Sequence, residues 1–309
     1  MKILITGATG FIGKNLAEEL IKEGHETYAL VRKTSHTDFL KSIGVKFVCG
    51  DITKKEIPES LSDNSFDAIY HCAGLVSAWD RKRLHQVNVI GSENICNLSV
   101  KLGVKKLIYL SSVSVVSGNE NIPTTDYLPH KATTIYGKSK LEAEKKVIEF
   151  RKKGLNVAIL RPGMVYGEGE PHFLGKLFFL LKYRLIPIVD GGKNKWHMVY
   201  IKNLVDALIM ALKKDELFTG TFLVADDEIL TVEEIFNILC KNIGAAAPVK
   251  LPDQCTRVFT KIPFLGEYFN FFLKSRIYDT SRLKSTGYKA KYRANAALAK
   301  TARHWLKSS

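Results

Sequence analysis

The sequence has little cysteine and no motif that would place cysteine or histidine around a metal ion. Its 309 residues include five cysteines, which lie far apart and form no CxxC pair, and eight histidines without an HExxH spacing. This pattern excludes a disulfide scaffold and predicts free thiols in a reducing compartment. It also gives no reason to expect a bound metal.

Long apolar runs are also missing. The longest, residues 173–189, contains Lys176, Lys182 and Arg184, so it is too short and too charged to cross a bilayer. The chain reaches turn-forming glycine by Gly7, which leaves no room for a signal peptide before the fold. We therefore expect a cytoplasmic protein.

Acidic residues are scarce relative to basic ones. The chain has 31 Asp and Glu against 46 Lys and Arg, a formal net charge of +15, and residues 250–309 alone hold thirteen basic and three acidic residues. Such a segment can attract phosphates, nucleic acid or an anionic membrane surface, or it can simply be a solvated basic face. No nucleic-acid-binding module accompanies it, so we expect no nucleic acid partner and keep peripheral contact with an anionic membrane as a hypothesis.

Short apolar runs alternate with amphipathic helical patterns over the first two thirds of the chain. Strands are predicted at residues 2–6, 27–32, 46–49, 68–73, 107–112 and 156–160, and helices at 11–23, 86–102 and 135–153. This alternation predicts an α/β fold with a doubly wound, Rossmann-type parallel sheet, to which residues 198–201 and 221–224 are expected to return. We predict a dinucleotide-binding domain over 1–165 with returning segments at about 196–224, and a smaller C-terminal substrate lobe over 166–195 and 225–309.

A glycine-rich segment, TGATGFIG at residues 6–13, joins the first predicted strand to the first helix. In such a turn Gly7 permits the tight reversal, Gly10 lets the backbone approach a pyrophosphate, and Gly13 permits close helix–sheet packing. The helix N-terminus supplies free N–H groups and a favourable dipole for the anion. A glycine turn without a ligand is the alternative, but the position directly after the first strand favours a dinucleotide. The candidate contacts in this segment are Gly7, Thr9, Gly10, Phe11, Ile12 and Gly13.

A tyrosine and a lysine four residues apart, Tyr136 and Lys140, open the helix predicted after the strand at 107–112. Residues at i and i+4 share a helix face, so the two side chains project together. A phenol with a pKa of roughly 10 is a poor base until a nearby cation favours its phenolate, and Lys140 can supply that cation. Ser112 ends the preceding strand, where side chains of a doubly wound sheet point into the ligand crevice, and Ser114 follows it.

The GxxGxxG spacing, the serine-bearing strand and the YxxxK pair occur in an order that resembles the extended group of the short-chain dehydrogenase/reductase superfamily, which includes the NAD-dependent epimerases and dehydratases. The resemblance implies that Tyr136 exchanges a proton with the substrate oxygen while a hydride moves to or from a nicotinamide dinucleotide. It also implies that Lys140 hydrogen-bonds the nicotinamide ribose, that Ser112 orients the substrate, and that Ser114 is its neighbour in the site.

The end of the second predicted strand lacks the acidic residue that binds the ribose 2′-hydroxyl in NAD-selective sites. Arg32 offers a planar fork for a 2′-phosphate and Lys33 a supporting charge, so we predict NADP(H) in preference to NAD(H), with a surface arginine as the alternative. The family resemblance implies further cofactor contacts and makes Asn88 more often structural than catalytic. The further contacts are Asp51 and Ile52 near the adenine, Ala73 and Gly74 along the ribose, and Pro162, Gly163 and Val165 at the nicotinamide.

The segment LRPGMVYGEG at residues 160–169 resembles 3β-hydroxysteroid dehydrogenases and dihydroflavonol-reductase-like enzymes. We therefore predict an oxidoreductase that interconverts a hydroxyl and a carbonyl on a bulky, largely apolar small molecule of steroid, terpenoid or flavonoid type. The alternative is a nucleotide-sugar epimerase or dehydratase using bound NAD. Met164, however, replaces the phosphate-binding asparagine of the epimerases, and Val113 and Ser114 stand where sugar dehydratases carry an acid pair. A non-catalytic NADP-binding regulator is a third interpretation.

Two groups of apolar residues contribute to the substrate prediction, although such stripes are more often core. The first group is Phe173, Leu174, Leu177, Phe178 and Leu181; the second is Phe259, Phe264, Leu265, Tyr268, Phe269, Phe271 and Phe272. By analogy with family relatives, the helices at 86–102 and 135–153 are expected to form a four-helix contact in a homodimer.

Overall fold

Seven parallel strands form the central sheet of this computed structural model, which describes residues 1–55, 61, 65–76, 80–251 and 273–308. The strands are β1 (Lys2–Thr6), β2 (Glu26–Val31), β3 (Lys46–Cys49), β4 (Ala68–His71), β5 (Lys106–Leu110), β6 (Val157–Pro162) and β10 (Thr221–Val224). Across the sheet they follow the order β3-β2-β1-β4-β5-β6-β10. The order reverses between β1 and β4, and ligands of open α/β sheets bind outside the carboxyl ends of the strands at such a point. The predicted doubly wound, Rossmann-type sheet is confirmed.

Helices cover both faces of this sheet and build the C-terminal part of the chain. They are α1 (Phe11–Lys22), α2 (Asp38–Ser42), α3 (Arg81–Leu84), α4 (Gly91–Lys101), α5 (Ile135–Lys152), α6 (Leu174–Lys182), α7 (Ile201–Lys213), α8 (Val232–Ile243), α9 (Ser281–Ser285) and α10 (Ala294–Ser308). A π-helical stretch, His85–Ile90, joins α3 to α4. A capping box formed by Thr231 and Glu234 opens α8, and Gly244 ends it at φ +71°.

Residues that alternate along the strands pack in two separate cores, one on each face of the sheet. Ile3 and Ile5 of β1 lie in the larger core with residues of α1 and α7, whereas Leu4 lies in the smaller core with residues of α4 and α5. The larger core continues to α10, where Leu298 is fully buried. The division into two domains at residues 165 and 195 stays a prediction.

Two short sheets stand beside the central one. In the first, β7 (Met164–Tyr166) pairs in parallel with β9 (Met198–Tyr200); in the second, β8 (Lys195–Trp196) pairs antiparallel with β11 (Leu230–Thr231). Residues 221–224 join the central sheet beside β6 as predicted, but the expectation that residues 198–201 also return to it is wrong. The buried Asp226 carboxylate explains the difference, because it accepts hydrogen bonds from the Tyr200 backbone and the Tyr166 hydroxyl and so ties β9 to β7.

The first apolar stripe is interior. Leu174, Leu177, Phe178 and Leu181 of α6 are buried in the larger core, and the Phe173 ring packs against that of Trp196. These side chains therefore stabilise the fold and do not line a substrate surface, which corrects the interpretation that they favour an apolar ligand. The second stripe lies outside the described residues.

Within the described part of the chain, no helix combines the length and the apolarity that a membrane crossing requires. In the same part, His, Cys, Asp and Glu form no group of three suited to a metal ion. Cys49, Cys72, Cys96 and Cys240 are free thiols.

Candidate active site

The glycine turn between β1 and α1 is shaped by two close backbone approaches. Gly7 has φ +74°, and a Cβ placed on it would lie 2.6 Å from the Ala73 nitrogen; a Cβ on Gly13 would lie 2.2 Å from the Gly7 oxygen. Glycine is therefore required at both positions by the protein itself. At Gly10, by contrast, the nearest protein atom to an added Cβ is the Gly7 oxygen at 3.3 Å. Gly10 is the N-cap of α1 and lines the adjoining cleft, so it leaves the helix N-terminus open to an anion.

A cleft of about 600 Å³ opens beside this turn. It brings together eight of the residues predicted to bind a cofactor: Gly7, Thr9, Gly10, Arg32, Asp51, Ile52, Ala73 and Gly74. Phe11 and Ile12 instead pack their side chains against the larger core, and Lys33 is exposed outside the lining. The lining also contains residues that the motifs did not single out: Ser35, Thr53, Asp80, Lys82, Arg83 and Gln86. Their positions depend on how the loops after β2, β3 and β4 fold back over the sheet edge.

Two charged residues face each other at the outer end of the cleft. The Arg32 backbone donates to Ser35 Oγ at 3.1 Å, which orders the turn after β2. Asp51 accepts from the backbone N–H and the hydroxyl of Thr53, both at 2.9 Å. Although burial alone raises the pKa of Asp51, these hydrogen bonds and the Arg32 charge hold that pKa below its ordinary value. Asp51 is therefore an ionised acceptor beside a guanidinium.

His71, at the end of β4, holds the floor of the crevice together. Its Nδ1 lies 2.6 Å from Thr6 Oγ1 at the end of β1, and its Nε2 lies 3.0 Å from Ser92 Oγ on α4. Burial, with a smaller contribution from the Lys140 charge, lowers the pKa of His71 to about 3. The ring is therefore neutral and ties β1, β4 and α4 by hydrogen bonds alone.

Asn88 lies in the π-helical stretch and connects the loop after β4 to α5. Its Oδ1 accepts from the Leu75 backbone at 2.8 Å, and its Nδ2 donates to the Leu75 carbonyl and to Ser139 Oγ, both at 2.9 Å. Both polar atoms of the Asn88 side chain thus hydrogen-bond to the protein, as expected of a structural asparagine. Ser139 stands between Tyr136 and Lys140 in the sequence, so Asn88 fixes the helix that carries both.

Ser112 and Tyr136 meet at the carboxyl edge of the sheet. Thr134 caps α5 by accepting from the Gly137 backbone at 2.9 Å, which places Tyr136 in the first turn. Burial raises the pKa of Tyr136, while the nearby Ser112 side chain lowers it in part. The phenol is therefore protonated at neutral pH and able to donate. Lys140 is not among the groups that shift this pKa, so its effect on the Tyr136 phenolate stays a prediction.

Lys140 lies one turn further along α5 and is only 4% exposed. Its Nζ donates to the Leu110 carbonyl at 2.8 Å and lies 4.6 Å from the centre of the Tyr109 ring. Burial lowers the pKa of Lys140 to about 8, although electrostatic interactions with Glu144 and Cys72 raise this pKa in part. Cys72 lines the cleft next to Gly7, so the ammonium lies close to the glycine turn.

The predicted nicotinamide end is built from β6, β7 and a C-terminal segment. A Cβ on Gly163 would lie 3.0 Å from the His197 carbonyl and 3.3 Å from the Tyr278 ring. The Tyr278 ring stacks on His197 with centroids 5.9 Å apart. Pro162 and Val165 flank Gly163 in the sequence, with Pro162 buried at the end of β6 and Val165 partly exposed on β7. Tyr278 is the residue missed here, and no local motif brings it to Gly163.

Ser114 is the predicted substrate neighbour of Ser112. Its backbone N–H donates to Ser112 Oγ at 3.2 Å, within the short 3₁₀ turn Val113–Val115. Its own hydroxyl is buried and has no hydrogen-bond partner among the described residues. A buried hydroxyl without a partner is costly unless a ligand supplies one.

Comparison with known proteins agrees with this geometry. Residues 3–225 match the model of the NAD dependent epimerase/dehydratase family. The chain belongs to this family. A UDP-glucose 4-epimerase of Vibrio cholerae is 27% identical over 320 residues, covering 99% of this chain and 96% of the relative. A 3-beta-hydroxysteroid dehydrogenase of Mycolicibacterium neoaurum is 29% identical over 223 residues, covering 68% of this chain and 60% of the relative.

The epimerase/dehydratase fold extends over the whole chain. A UDP-glucuronic acid 4-epimerase of Bacillus cereus, solved in complex with NAD, superimposes with a TM-score of 0.81 at 21% identity, covering 100% of this chain and 99% of that one. Family membership and this fold make the chain an NAD(P)-dependent enzyme of the extended short-chain dehydrogenase/reductase type. Both hydride-transfer dehydrogenases and sugar epimerases occur among its relatives.

Proposed function

We propose that this enzyme is an NADP(H)-dependent oxidoreductase that interconverts a hydroxyl and a carbonyl on a bulky, largely apolar small molecule. The observation that carries the proposal is the proximity of the Ser112 side chain to the buried Tyr136 phenol, whose pKa it lowers in part, with Lys140 one helical turn away. This is the geometry that proton transfer at a substrate oxygen needs, because donor and orienting group converge on one position.

The cofactor site fits a dinucleotide on structural grounds. Gly10 and Gly74 line the cleft, and a Cβ on either would meet no protein atom closer than 3.3 Å, so their lack of a side chain leaves room for a ligand. The N–H groups at the start of α1 and the ionised Asp51 would hold the pyrophosphate and the adenine amine. A nicotinamide dinucleotide bound there supplies or accepts the hydride.

Three side chains would then act on the substrate and the nicotinamide ribose. In the direction of reduction Tyr136 donates its proton to the carbonyl oxygen, and in oxidation it takes the proton back. Ser112 donates a hydrogen bond to the same oxygen and orients it. Lys140 exchanges its Leu110 acceptor for the ribose hydroxyls, and its positive charge favours the phenolate that Tyr136 becomes.

The preference for NADP(H) rests on the cleft wall at the end of β2. Arg32 lines the cleft where NAD-selective sites carry an acidic acceptor, and Lys82 and Arg83 add two further cations to the lining. A ribose 2′-phosphate carries about two negative charges and is matched by a guanidinium fork. The solved relative described above binds NAD, so the cofactor preference is a property to be measured on this chain.

The apolar substrate class is supported by two sequence positions at which sugar-nucleotide enzymes carry polar or acidic groups. Val113 follows Ser112, and Met164 is partly exposed on β7, so neither position offers a charge to a sugar nucleotide. The steroid dehydrogenase among the relatives acts on a substrate of this kind by its name. A test of the proposal is a turnover screen that follows NADPH absorbance with hydrophobic ketones, using NADH as the cofactor control. NADPH consumption is the expected result, and its failure with every ketone would reject the substrate class.

Sugar-nucleotide epimerisation is the second candidate, because a UDP-glucose 4-epimerase aligns with 99% of this chain. Epimerisation returns its hydride to the substrate, so it produces no net change in NADPH or NADH absorbance. Incubation with UDP-glucose followed by chromatographic separation of the UDP-hexoses distinguishes the two candidates. Formation of UDP-galactose without cofactor consumption would replace the reductase proposal.

Contact with an anionic membrane is proposed from an exposed surface at the end of α6. Phe179 and Tyr183 have ring centroids 4.8 Å apart and are more than half exposed, and Leu185 is 61% exposed beside Lys182 and Arg184. Aromatic and basic side chains together suit the headgroup region. Sedimentation with phosphatidylserine vesicles at low salt tests this, and no difference from neutral vesicles would reject it.

The homodimer is likewise a proposal, resting on the family analogy for α4 and α5. These two helices pack together along the smaller core. Sedimentation velocity of the purified chain tests it, and a monomer at micromolar concentration would reject it.

A further inference from the structure

Three side chains of α5 stand on one face at successive turns: Tyr136, Lys140 and Glu144. The first two are used by the proposed reaction, and the third is fully buried. We propose that Glu144 is a positioning residue, which clamps the carboxyl ends of β5 and β6 around the reacting atoms and keeps Lys140 protonated. This inference deepens the function proposed above and rests on it.

The clamp consists of hydrogen bonds to the residues directly before two parts of the site. The Glu144 carboxylate accepts from the Ser111 hydroxyl and from Arg161, whose Nε lies 3.1 Å away and whose Nη2 also donates. Ser111 precedes Ser112, and Arg161 precedes Pro162 at the nicotinamide end. One buried carboxylate therefore fixes both strand ends relative to α5.

Lys140 also binds the end of β5, at the residue before Ser111. Its Nζ holds the Leu110 carbonyl at 2.8 Å while Glu144 holds the Ser111 hydroxyl. The two residues before Ser112 are thus bound by two successive turns of the helix that carries Tyr136. A shift of α5 along the sheet would move Tyr136 and Ser112 relative to each other only by breaking these bonds.

The groups that face Lys140 show why its charge depends on Glu144. From β4, His71 is neutral because burial lowers its pKa to about 3, and Cys72 is protonated because burial raises its pKa to about 12. From β5, Tyr109 is neutral because burial raises its pKa, and on α5 itself burial raises the pKa of Tyr136. Among these neighbours, the Glu144 carboxyl group, which pairs with Arg161, is the one whose charge favours the charged form of Lys140.

The basic groups near Glu144 are Arg161 on β6, Arg151 on α5 and His130 in the loop before α5; burial and the Arg161 charge lower the pKa of His130. Arg161 contacts both carboxylate oxygens, and His130 Nε2 lies 3.6 Å from Glu144 and 2.7 Å from Arg161 Nη2. Burial already lowers the pKa of Lys140 to about 8, close to neutral pH. Since a buried ammonium loses its proton more readily when the facing carboxylate is removed, a Glu144 variant would leave Lys140 neutral under working conditions.

The decisive experiment measures the ionisation of Lys140 itself. Carbon-13 labelling of lysine gives a Cε resonance for Lys140, which is assigned by its loss in Lys140→Met. This resonance should titrate near pH 8, whereas ordinary lysines have a pKa of about 10.4. In Glu144→Gln the midpoint should fall by about one pH unit or more. The alkaline limb of the kcat/KM profile should move down with it.

The matched control is Glu142→Gln, two residues earlier on the same helix. The Glu142 carboxylate is 54% exposed and contacts His85 at 3.1 Å, away from Lys140. The Lys140 midpoint should stay at its wild-type value in this control. A Glu142→Gln midpoint that falls as far as that of Glu144→Gln would overturn the assignment.

Glu144→Gln leaves the Arg161 cation buried without its partner, which can destabilise the fold. The double variant Glu144→Gln/Arg161→Gln removes both charges, and the Lys140 midpoint is measured in it in the same way. An unchanged Lys140 midpoint in either folded variant refutes the proposed role of Glu144. The titration needs no substrate, so it is separable from the reaction. If the Lys140 midpoint falls in Glu144→Gln but the wild type reduces no ketone, only the reductase function is rejected. If the wild type reduces a ketone but the midpoint is unchanged in Glu144→Gln, only the role of Glu144 is rejected.

Discussion

The Nδ2 of Asn88 lies 2.9 Å from the Oγ of Ser139, which joins the π-helical stretch before α4 to the helix that carries Tyr136 and Lys140. The same amide also holds both backbone groups of Leu75, at the rim of the cofactor cleft. One buried amide thus connects the dinucleotide wall to the proton-transfer helix.

Replacing Asn88 by Ala should therefore weaken stability and cofactor binding together. The change leaves the Leu75 backbone groups without partners, which costs about 1–3 kcal/mol of unfolding free energy. Urea unfolding and NADPH titration measure the two effects. Asn97→Ala, at an exposed position of α4, is the control and should change neither quantity. Wild-type stability in Asn88→Ala would contradict the connecting role.

The two glycines of the phosphate turn should respond differently to a single methyl group. Gly13→Ala places a Cβ 2.2 Å from the Gly7 oxygen, so the backbone must shift and the melting temperature should fall. Gly10→Ala meets the protein at 3.3 Å and should leave the melting temperature nearly unchanged while it weakens dinucleotide binding. Differential scanning calorimetry and fluorescence titration with NADPH test the pair. Equal losses of stability in both variants would show that Gly10 serves packing and not a ligand.

The cofactor preference should depend on Arg32. Arg32→Ala should raise the dissociation constant of NADPH by roughly ten- to a hundredfold, because a charge-assisted contact to the 2′-phosphate is lost, and should change that of NADH little. The neighbouring Lys33→Ala should have a smaller effect, because Lys33 is exposed and outside the cleft lining. An equal loss for both dinucleotides in Arg32→Ala would overturn the preference for NADP(H).

Acid should destabilise the protein through His71. Its pKa is about 3 in the fold and about 6.5 when unfolded, so the unfolded chain binds the extra proton between these values and stability is lost as pH falls below about 6.5. Burial raises the pKa of Asp126 and Asp226 to about 6, which acts in the opposite direction as pH falls through that value. Both aspartates remain in His71→Gln, so the comparison isolates the histidine. On going from pH 7 to pH 5, the unfolding free energy of the wild type should fall relative to that of His71→Gln, which lacks the proton uptake of the unfolded histidine. The same difference in both proteins would refute the neutral, buried state of this ring.

Local patterns of the sequence predict much of the fold and the first contacts of the site. The strands β1, β3 and β10 have the predicted ends, because each is a short apolar run bounded by turn-forming or polar residues. The glycine turn and the Tyr136–Lys140 pair are recognisable for the same reason, since their geometry is set within a few residues by backbone conformation and helix period.

Contacts between distant segments were not predictable in this way. The buried Asp226 carboxylate decides that β9 pairs with β7, and Tyr278 reaches Gly163 from more than a hundred residues along the chain. The Glu144–Arg161 pair was not predictable either, because no sequence pattern pairs Glu144 with Arg161 and it is the sheet order that brings β6 beneath α5. The rise of the Tyr136 pKa through burial was not predictable either, because no sequence pattern gives the burial of this side chain.

The most direct test of the proposed chemistry is the rate at which the wild type and Tyr136→Phe oxidise NADPH in the presence of a hydrophobic ketone. Phenylalanine keeps the ring and removes only the hydroxyl, whose pKa the Ser112 side chain lowers in part. The expected result is unchanged NADPH binding with turnover lower by roughly a hundred- to ten-thousandfold. A Tyr136→Phe enzyme that turns over at the wild-type rate would contradict the assignment of this phenol as the proton donor.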